Sequence, residues 1–110
     1  MKVLFCGLGS MGTRHLRNLR QLMAEEQEKL VCHALRSTRI SLEMDVQGSL
    51  DREFYSWAET DEYYDCIFIT NPTALHYEAL QQAVLHTKKI FIEKSVFLYK
   101  ENPRLDRGVQ

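Results

Sequence analysis

The chain opens with Lys2-Val3-Leu4-Phe5-Cys6, a nearly unbroken apolar run that stops at Gly7 and passes directly into Gly9 and Gly12. No other feature constrains the fold so tightly. A strand that is apolar at successive positions, not at alternate ones, is covered on both faces, as in a buried parallel sheet. The glycines lead into a glycine-free stretch reaching Lys29, in which Leu16, Leu19 and Met23 recur at i, i+3 and i+7 and so share one helical face. Arg14, Arg17 and Arg20 line another face and read as solvated. The run Glu25-Glu26-Gln27-Glu28-Lys29 has no apolar residue and marks the wet end of that helix.

The same alternation continues downstream. Leu30-Val31-Cys32-His33-Ala34-Leu35 predicts a second strand, closed by Arg36-Ser37-Thr38-Arg39. Residues 40–52 fit either a strand, because Ile40, Leu42, Met44 and Val46 alternate with polar neighbours, or a short helix. Phe54-Tyr55 predicts a brief third strand, and Ser56 a cap for a short acidic helix reaching Tyr64. Cys66-Ile67-Phe68-Ile69-Thr70 is a fourth strand and Asn71-Pro72-Thr73 a loop and cap. From Ala74 to His86 a helix is expected, with His76, Ala79, Leu80, Ala83 and Val84 on one face. Lys89-Ile90-Phe91-Ile92 is a fifth strand, ending in Glu93-Lys94. Strands and helices alternating at this spacing build βαβ units, hence an α/β fold with a doubly wound parallel sheet. The glycine turn after the first strand favours the order 3-2-1-4-5. Residues 1–95 are expected to form this domain, and 96–110 a frayed tail or the start of a second domain.

Composition matters here for what it excludes. With 110 residues, 45% hydrophobic, 26% charged and net charge −1, the chain suits one self-sufficient core. It offers no basic excess for nucleic acid. No apolar run approaches the ~20 residues of a membrane span, and the start lacks a signal peptide, so a cytoplasmic protein is expected. Cys6, Cys32 and Cys66 lie inside apolar segments without CxxC spacing and read as buried filler. His15, His33 and His86 form no ligand spacing with one another or with the cysteines, so no metal site is expected.

Gly7-Leu8-Gly9-Ser10-Met11-Gly12 is G-x-G-x-x-G in its required setting, with a strand before it, a helix after it, and a second strand about thirty residues on. Gly7 makes the tight turn, Gly9 lets a pyrophosphate approach the backbone, and Gly12 lets helix and strand pack closely. The free N–H groups and positive dipole end of the helix then hold the pyrophosphate, placing Gly7, Gly9, Ser10, Met11 and Gly12 in a dinucleotide site. NAD-type sites carry a carboxylate at the end of the second strand for the ribose 2′-OH. This chain has Arg36, Ser37, Thr38 and Arg39 there, with no acid before Glu43. Donor-rich chemistry of that kind suits a 2′-phosphate and favours NADP(H) over NAD(H). Thr70, Asn71 and Pro72 leave the fourth strand at the ligand-binding edge, with Thr73 a candidate helix cap. His76, in the first turn of the following helix, shapes the cofactor pocket, packs without contacting ligand, or takes part in catalysis. Glu93 and Lys94 reach the same edge on its nicotinamide side, where a lysine can orient a substrate hydroxyl or exchange its proton.

These residues together resemble the amino-terminal half of the glucose–fructose oxidoreductase / inositol dehydrogenase (Gfo/Idh/MocA) family over roughly residues 1–95. Three features in order carry the resemblance: Gly7 to His15 at the start, Thr70-Asn71-Pro72 with His76 in the middle, and Glu93-Lys94 at the end. The resemblance implies a Rossmann domain and reversible hydride transfer between NAD(P)(H) and a hydroxyl or keto group of a sugar, cyclitol or sugar derivative. It also implies Lys94 as the active-site lysine and Thr70 to Pro72 along the nicotinamide ribose. The family motif is normally Glu-Lys-Pro, whereas Ser95 stands in the proline's place. Family members continue into an α/β domain that supplies the substrate pocket, further catalytic groups and the usual oligomer interface. This chain is therefore expected to be the cofactor half of an oxidoreductase, inactive alone, with a possible homo-oligomer through its exposed face. The competing expectation is a stand-alone, non-catalytic module that binds nucleotide or a partner chain. S-adenosylmethionine is disfavoured, since such sites usually want an acid where Arg36 stands.

Overall fold

The computed structural model describes residues 1–71 and 73–92. Among these residues five strands, β1 (Lys2–Cys6), β2 (Val31–Leu35), β3 (Arg52–Phe54), β4 (Cys66–Ile69) and β5 (Ile90–Ile92), form one sheet in the order β3-β2-β1-β4-β5. All four pairings are parallel, and the order is the one the glycine turn predicts. Among the described residues three helices accompany the sheet: α1 (Ser10–Glu25), α2 (Met44–Ser49) and α3 (His76–Ala83). Single 3-10 turns occupy Trp57–Glu59 and Thr73–Leu75.

Both faces of the sheet are covered at its centre, which explains the unbroken apolar run of β1. Val3, Phe5, Cys32 and Cys66 face α1 and α2, packing on Leu16, Met23 and Val46. Leu4, Cys6, Ile67 and Ile69 face the opposite way, against Phe54, Tyr64, Ala79 and Ala83. Val3, Leu4 and Phe5 are fully buried, each worth about 1.5–3 kcal/mol of apolar burial. On the α1 face Phe5, Phe68 and Phe91 stack across three adjacent strands, with ring centroids 4.8 and 5.2 Å apart. The three thiols are free and buried, and burial pushes Cys6 up to about 12 and Cys32 and Cys66 up to about 11. They stay protonated and inert at neutral pH.

Several elements differ from the sequence expectation for tertiary reasons. Residues 40–52 take the helical alternative: Val46 is buried against the core while Ile40 and Met44 remain exposed. Two of the three arginines on the supposedly wet face of α1 anchor that region. Arg17 donates to Asp45 at 2.8 and 2.9 Å and to Glu43 at 3.0 Å, and Arg20 donates to the Ser49 carbonyl. Ser56 does cap, accepting from Ala58 N–H at 3.2 Å, but only a single turn follows. Tyr64 is instead drawn alongside the sheet by its N–H bond to His86 O, 2.7 Å. Its buried hydroxyl lies 2.8 Å from His33 Nδ1 and 3.1 Å from Thr60 Oγ1. The third strand lies slightly earlier than Phe54-Tyr55. The last helix ends at Ala83, short of His86, whose ring Nδ1–H donates to Glu62 O.

Candidate functional site at the carboxyl edge of the sheet

The chain runs from β1 outward to β2 and β3, then returns to β4 on the other side of β1. The strand order therefore reverses between β1 and β4, the place where open α/β sheets bind ligands. Cys6 and Ile69 are register partners, so the loops beginning at Gly7 and Thr70 leave the sheet at the same height.

The three glycines of the motif stand in different surroundings. Gly7 has φ +98°, and a Cβ there would lie 2.9 Å from the Asn71 backbone, so conformation and space both demand glycine. A Cβ on Gly12 would fall 2.5 Å from Gly7 O and 2.6 Å from Thr70 Oγ1. That contact is the close approach of helix to strand. A Cβ on Gly9 would meet nothing within 4 Å. The space beside Gly9 opens at the start of α1, where no side chain caps the helix and no acid occupies the first turn. The leading N–H groups of α1 and its positive dipole end are thus left open to an anion. Ser10 and Met11 are exposed there, and Thr13 Oγ1 donates to Leu8 O to hold the loop.

Thr70, expected along the nicotinamide ribose, also braces the glycine turn. Its hydroxyl donates to Gly7 O at 2.8 Å, pinning the β4 end to the glycine turn. His76 is also a positioning group: Nε2–H donates to Asn71 O at 2.8 Å, holding the loop from the first turn of α3. Asn71 Oδ1 is buried and has no hydrogen-bond partner, one of two such side-chain atoms among the described residues. A buried, unsatisfied acceptor is costly unless something else supplies a donor. Pro72, Glu93, Lys94 and Ser95, the capping side chain of Thr73 and the tail 96–110 lie outside the described residues.

The end of β2 separates four residues that the sequence groups together. Ser37, Thr38 and Arg39 are exposed, and Arg39 lies 3.9 Å from the centroid of the Tyr55 ring. Arg36, expected to face a 2′-phosphate, is 8% exposed and turned onto β3. Its Nη1 donates to Glu53 Oε2 at 2.6 Å and its Nη2 to Ile40 O. Gln47 Nε2 and the Tyr55 hydroxyl donate to the same carboxylate at 3.3 and 3.4 Å. Burial alone would push the Glu53 carboxyl up, but these hydrogen bonds and the Arg36 charge bring it below its ordinary value. The physical reason for the departure is local: a partly buried carboxylate needs a cation, and Arg36 is within reach. Glu53 stands 17 residues beyond Arg36, so only the register of β2 against β3 reveals the pair.

A cleft of about 220 Å³ runs along this edge. Arg36 and Ser37 line it from β2, Tyr55 and Trp57 from the β3 end, and Leu75 and Ala79 from the α3 side, together with Gly7 and Asn71. Mostly apolar walls with a few polar groups suit a flat heteroaromatic ring. Tyr55, Trp57 and Leu75 are lining residues that motif reading missed. Their position after strand ends was the only available signal.

With this geometry in view, the comparison with protein families is decisive. The Gfo/Idh/MocA family, described as an oxidoreductase family with an NAD-binding Rossmann fold, matches residues 1–102. The chain belongs to this family. No curated protein and no solved structure matches significantly. As a Gfo/Idh/MocA member the chain is an NAD-binding oxidoreductase domain, and its ligand is a nicotinamide dinucleotide. The residues present fit that ligand: open space at Gly9, an uncapped α1 and the unpaired oxygen of Asn71. Among the described residues no helix is long and apolar enough to cross a membrane, and no group of three or more His, Cys, Asp or Glu could hold a metal ion.

Proposed function

We propose that this chain is the cofactor domain of an oxidoreductase that uses NADP(H) to interconvert a hydroxyl and a keto group on a sugar or sugar derivative. The observation that carries the cofactor reading is the pairing of open space at Gly9 with the uncapped start of α1. The N–H groups of Ser10, Met11 and Gly12 bind the pyrophosphate, and the cleft between Ser37, Tyr55 and Leu75 takes the adenosine. Arg39, with Ser37 and Thr38, meets the 2′-phosphate. Asn71 Oδ1 accepts a hydrogen bond from the nicotinamide-side ribose, held in place by Thr70 and His76. The bound cofactor supplies or accepts the hydride. Lys94, beside Glu93, orients the substrate hydroxyl and exchanges its proton. The resemblance gives substrate binding to a second α/β domain, so residues 1–95 alone bind cofactor without turnover.

The Arg36–Glu53 ion pair favours a second reading, NAD(H), because it removes one of the two guanidiniums from the pocket. Fluorescence titration with NADPH and NADH at low ionic strength separates the two. Tighter NADPH binding that is lost selectively in R39A supports the first reading; equal affinity for both cofactors refutes it. If neither cofactor binds the folded chain, the dinucleotide reading falls.

A further inference from the structure

We propose that Glu53 is a specificity-determining residue of this domain, which sets the NADPH/NADH ratio by holding Arg36 away from the ligand. The inference rests on the dinucleotide reading above and adds a residue outside the nucleotide pocket's own loops. Arg36 and Ser37 line the same cleft, and Arg36 N–H donates to Phe54 O at 2.9 Å, so the backbone at the β2 end is tied to β3. From that anchored position the guanidinium is drawn onto β3 by the Glu53 charge, with the Ile40 carbonyl accepting from its Nη2. The carboxylate itself cannot follow the arginine outward. Gln47 reaches its Oε1 from α2 and Tyr55 its Oε2 from beyond β3, while the Glu53 side chain is only 20% exposed. For Arg36 to turn to a 2′-phosphate it must strand a partly buried carboxylate, and that penalty opposes the gain from the phosphate. Arg39 has no such restraint: its aromatic contact with Tyr55 leaves its N–H groups free to donate at an exposed position. Discrimination therefore falls to Arg39, with Arg36 held in reserve.

The variant E53Q keeps the shape of the side chain and replaces a charge-assisted pair by a neutral hydrogen bond of roughly half the strength. With the lock weakened, Arg36 becomes available to the phosphate. NADPH affinity should rise about tenfold in E53Q, the worth of one hydrogen bond to a charged group, with NADH affinity unchanged. Adding R36M to E53Q should abolish the gain, and R36M in the unaltered background should move the NADPH/NADH ratio less than it does with E53Q. All four proteins are titrated with NADPH and NADH by fluorescence at one ionic strength, with folding checked by circular dichroism. If E53Q unfolds at the assay temperature, E53D, which keeps the charge but shortens the reach, should show an intermediate gain. An unchanged ratio in E53Q or E53D, a parallel loss of both cofactors, or an equal effect of R36M in both backgrounds overturns the proposal. Failure of the folded wild-type chain to bind either cofactor overturns the dinucleotide reading and this proposal with it.

Discussion

Replacing Gly12 by alanine tests the helix–strand contact and the pyrophosphate site separately, when Gly9 is replaced in parallel. In G12A the new methyl would sit 2.5 Å from Gly7 O and 2.6 Å from Thr70 Oγ1. Both neighbours are poorly able to yield, because Gly7 is constrained at φ +98° against Asn71 and Thr70 Oγ1 is donating to Gly7 O at 2.8 Å. Overpacking of this kind costs about 1–3 kcal/mol, and losing the threonine hydrogen bond adds about 1 kcal/mol. Alanine's better helix propensity returns up to about 1 kcal/mol. The net expectation is a loss of about 2 kcal/mol, which lowers the Tm of a domain this size by about 10 °C. In G9A the methyl meets nothing within 4 Å, so the Tm should stay within about 3 °C of wild type, less than 1 kcal/mol would produce. The same methyl intrudes on the pyrophosphate's proposed path, and NADPH affinity should fall at least about tenfold, the loss of one charge-assisted hydrogen bond. Thermal unfolding by circular dichroism and fluorescence titration read the two effects. A G12A protein as stable as wild type would refute the close-packing argument, and full NADPH binding by G9A would refute the placement of the phosphates.

Three further expectations follow from other parts of the molecule. Asn71→Ala removes a buried acceptor that has no partner in the protein, so stability should hold or rise slightly while cofactor affinity drops; a clear fall in Tm would show that the oxygen is satisfied within the fold. His33, 5% exposed, has its pKa lowered from 6.5, first by burial and then by Lys2 and Arg52 against the opposing pull of Glu62. The unfolded chain therefore takes up this proton first, and stability should fall as pH drops below 6.5, before Glu53 and Glu62, lowered from 4.5, begin to protonate. Urea melts across that interval should lose this slope in H33Q, and an unchanged slope would remove His33 as its source. The buried thiols of Cys6, Cys32 and Cys66 should resist a thiol reagent until denaturant is added, and rapid labelling of the native chain would contradict their burial.

Motif and periodicity carried much of the fold. The runs at Val3–Cys6 and Cys66–Ile69 are apolar at successive positions because they are buried on both faces, and that signature needs no tertiary information. The tight turn at Gly7 and the close helix–strand approach at Gly12 were equally legible, since each follows from what a missing Cβ permits. Segments whose own preferences are weak behaved otherwise. The alternation from Ile40 to Val46 suits two conformations, and contacts of Arg17 with Asp45 and of Val46 with the core select the helix. Tyr64 leaves its expected helix because a backbone bond to His86 and a buried hydroxyl contact with His33 are available only in the assembled layer.

The carboxyl edge divides in the same way. That a glycine turn links β1 to α1 there is written in local geometry: strand, turn and helix are contiguous in the chain. Which cations face the nucleotide is not. Arg36 and Arg39 look equivalent in sequence, both at the end of β2. One is drawn onto Glu53 and the other remains exposed over Tyr55. A charge acts on whatever lies within a few ångströms regardless of separation along the chain, and the register of β2 on β3 sets those neighbours. Thr70 makes the same point: its hydroxyl holds the glycine turn in place, a contact that exists only once β1 and β4 lie side by side.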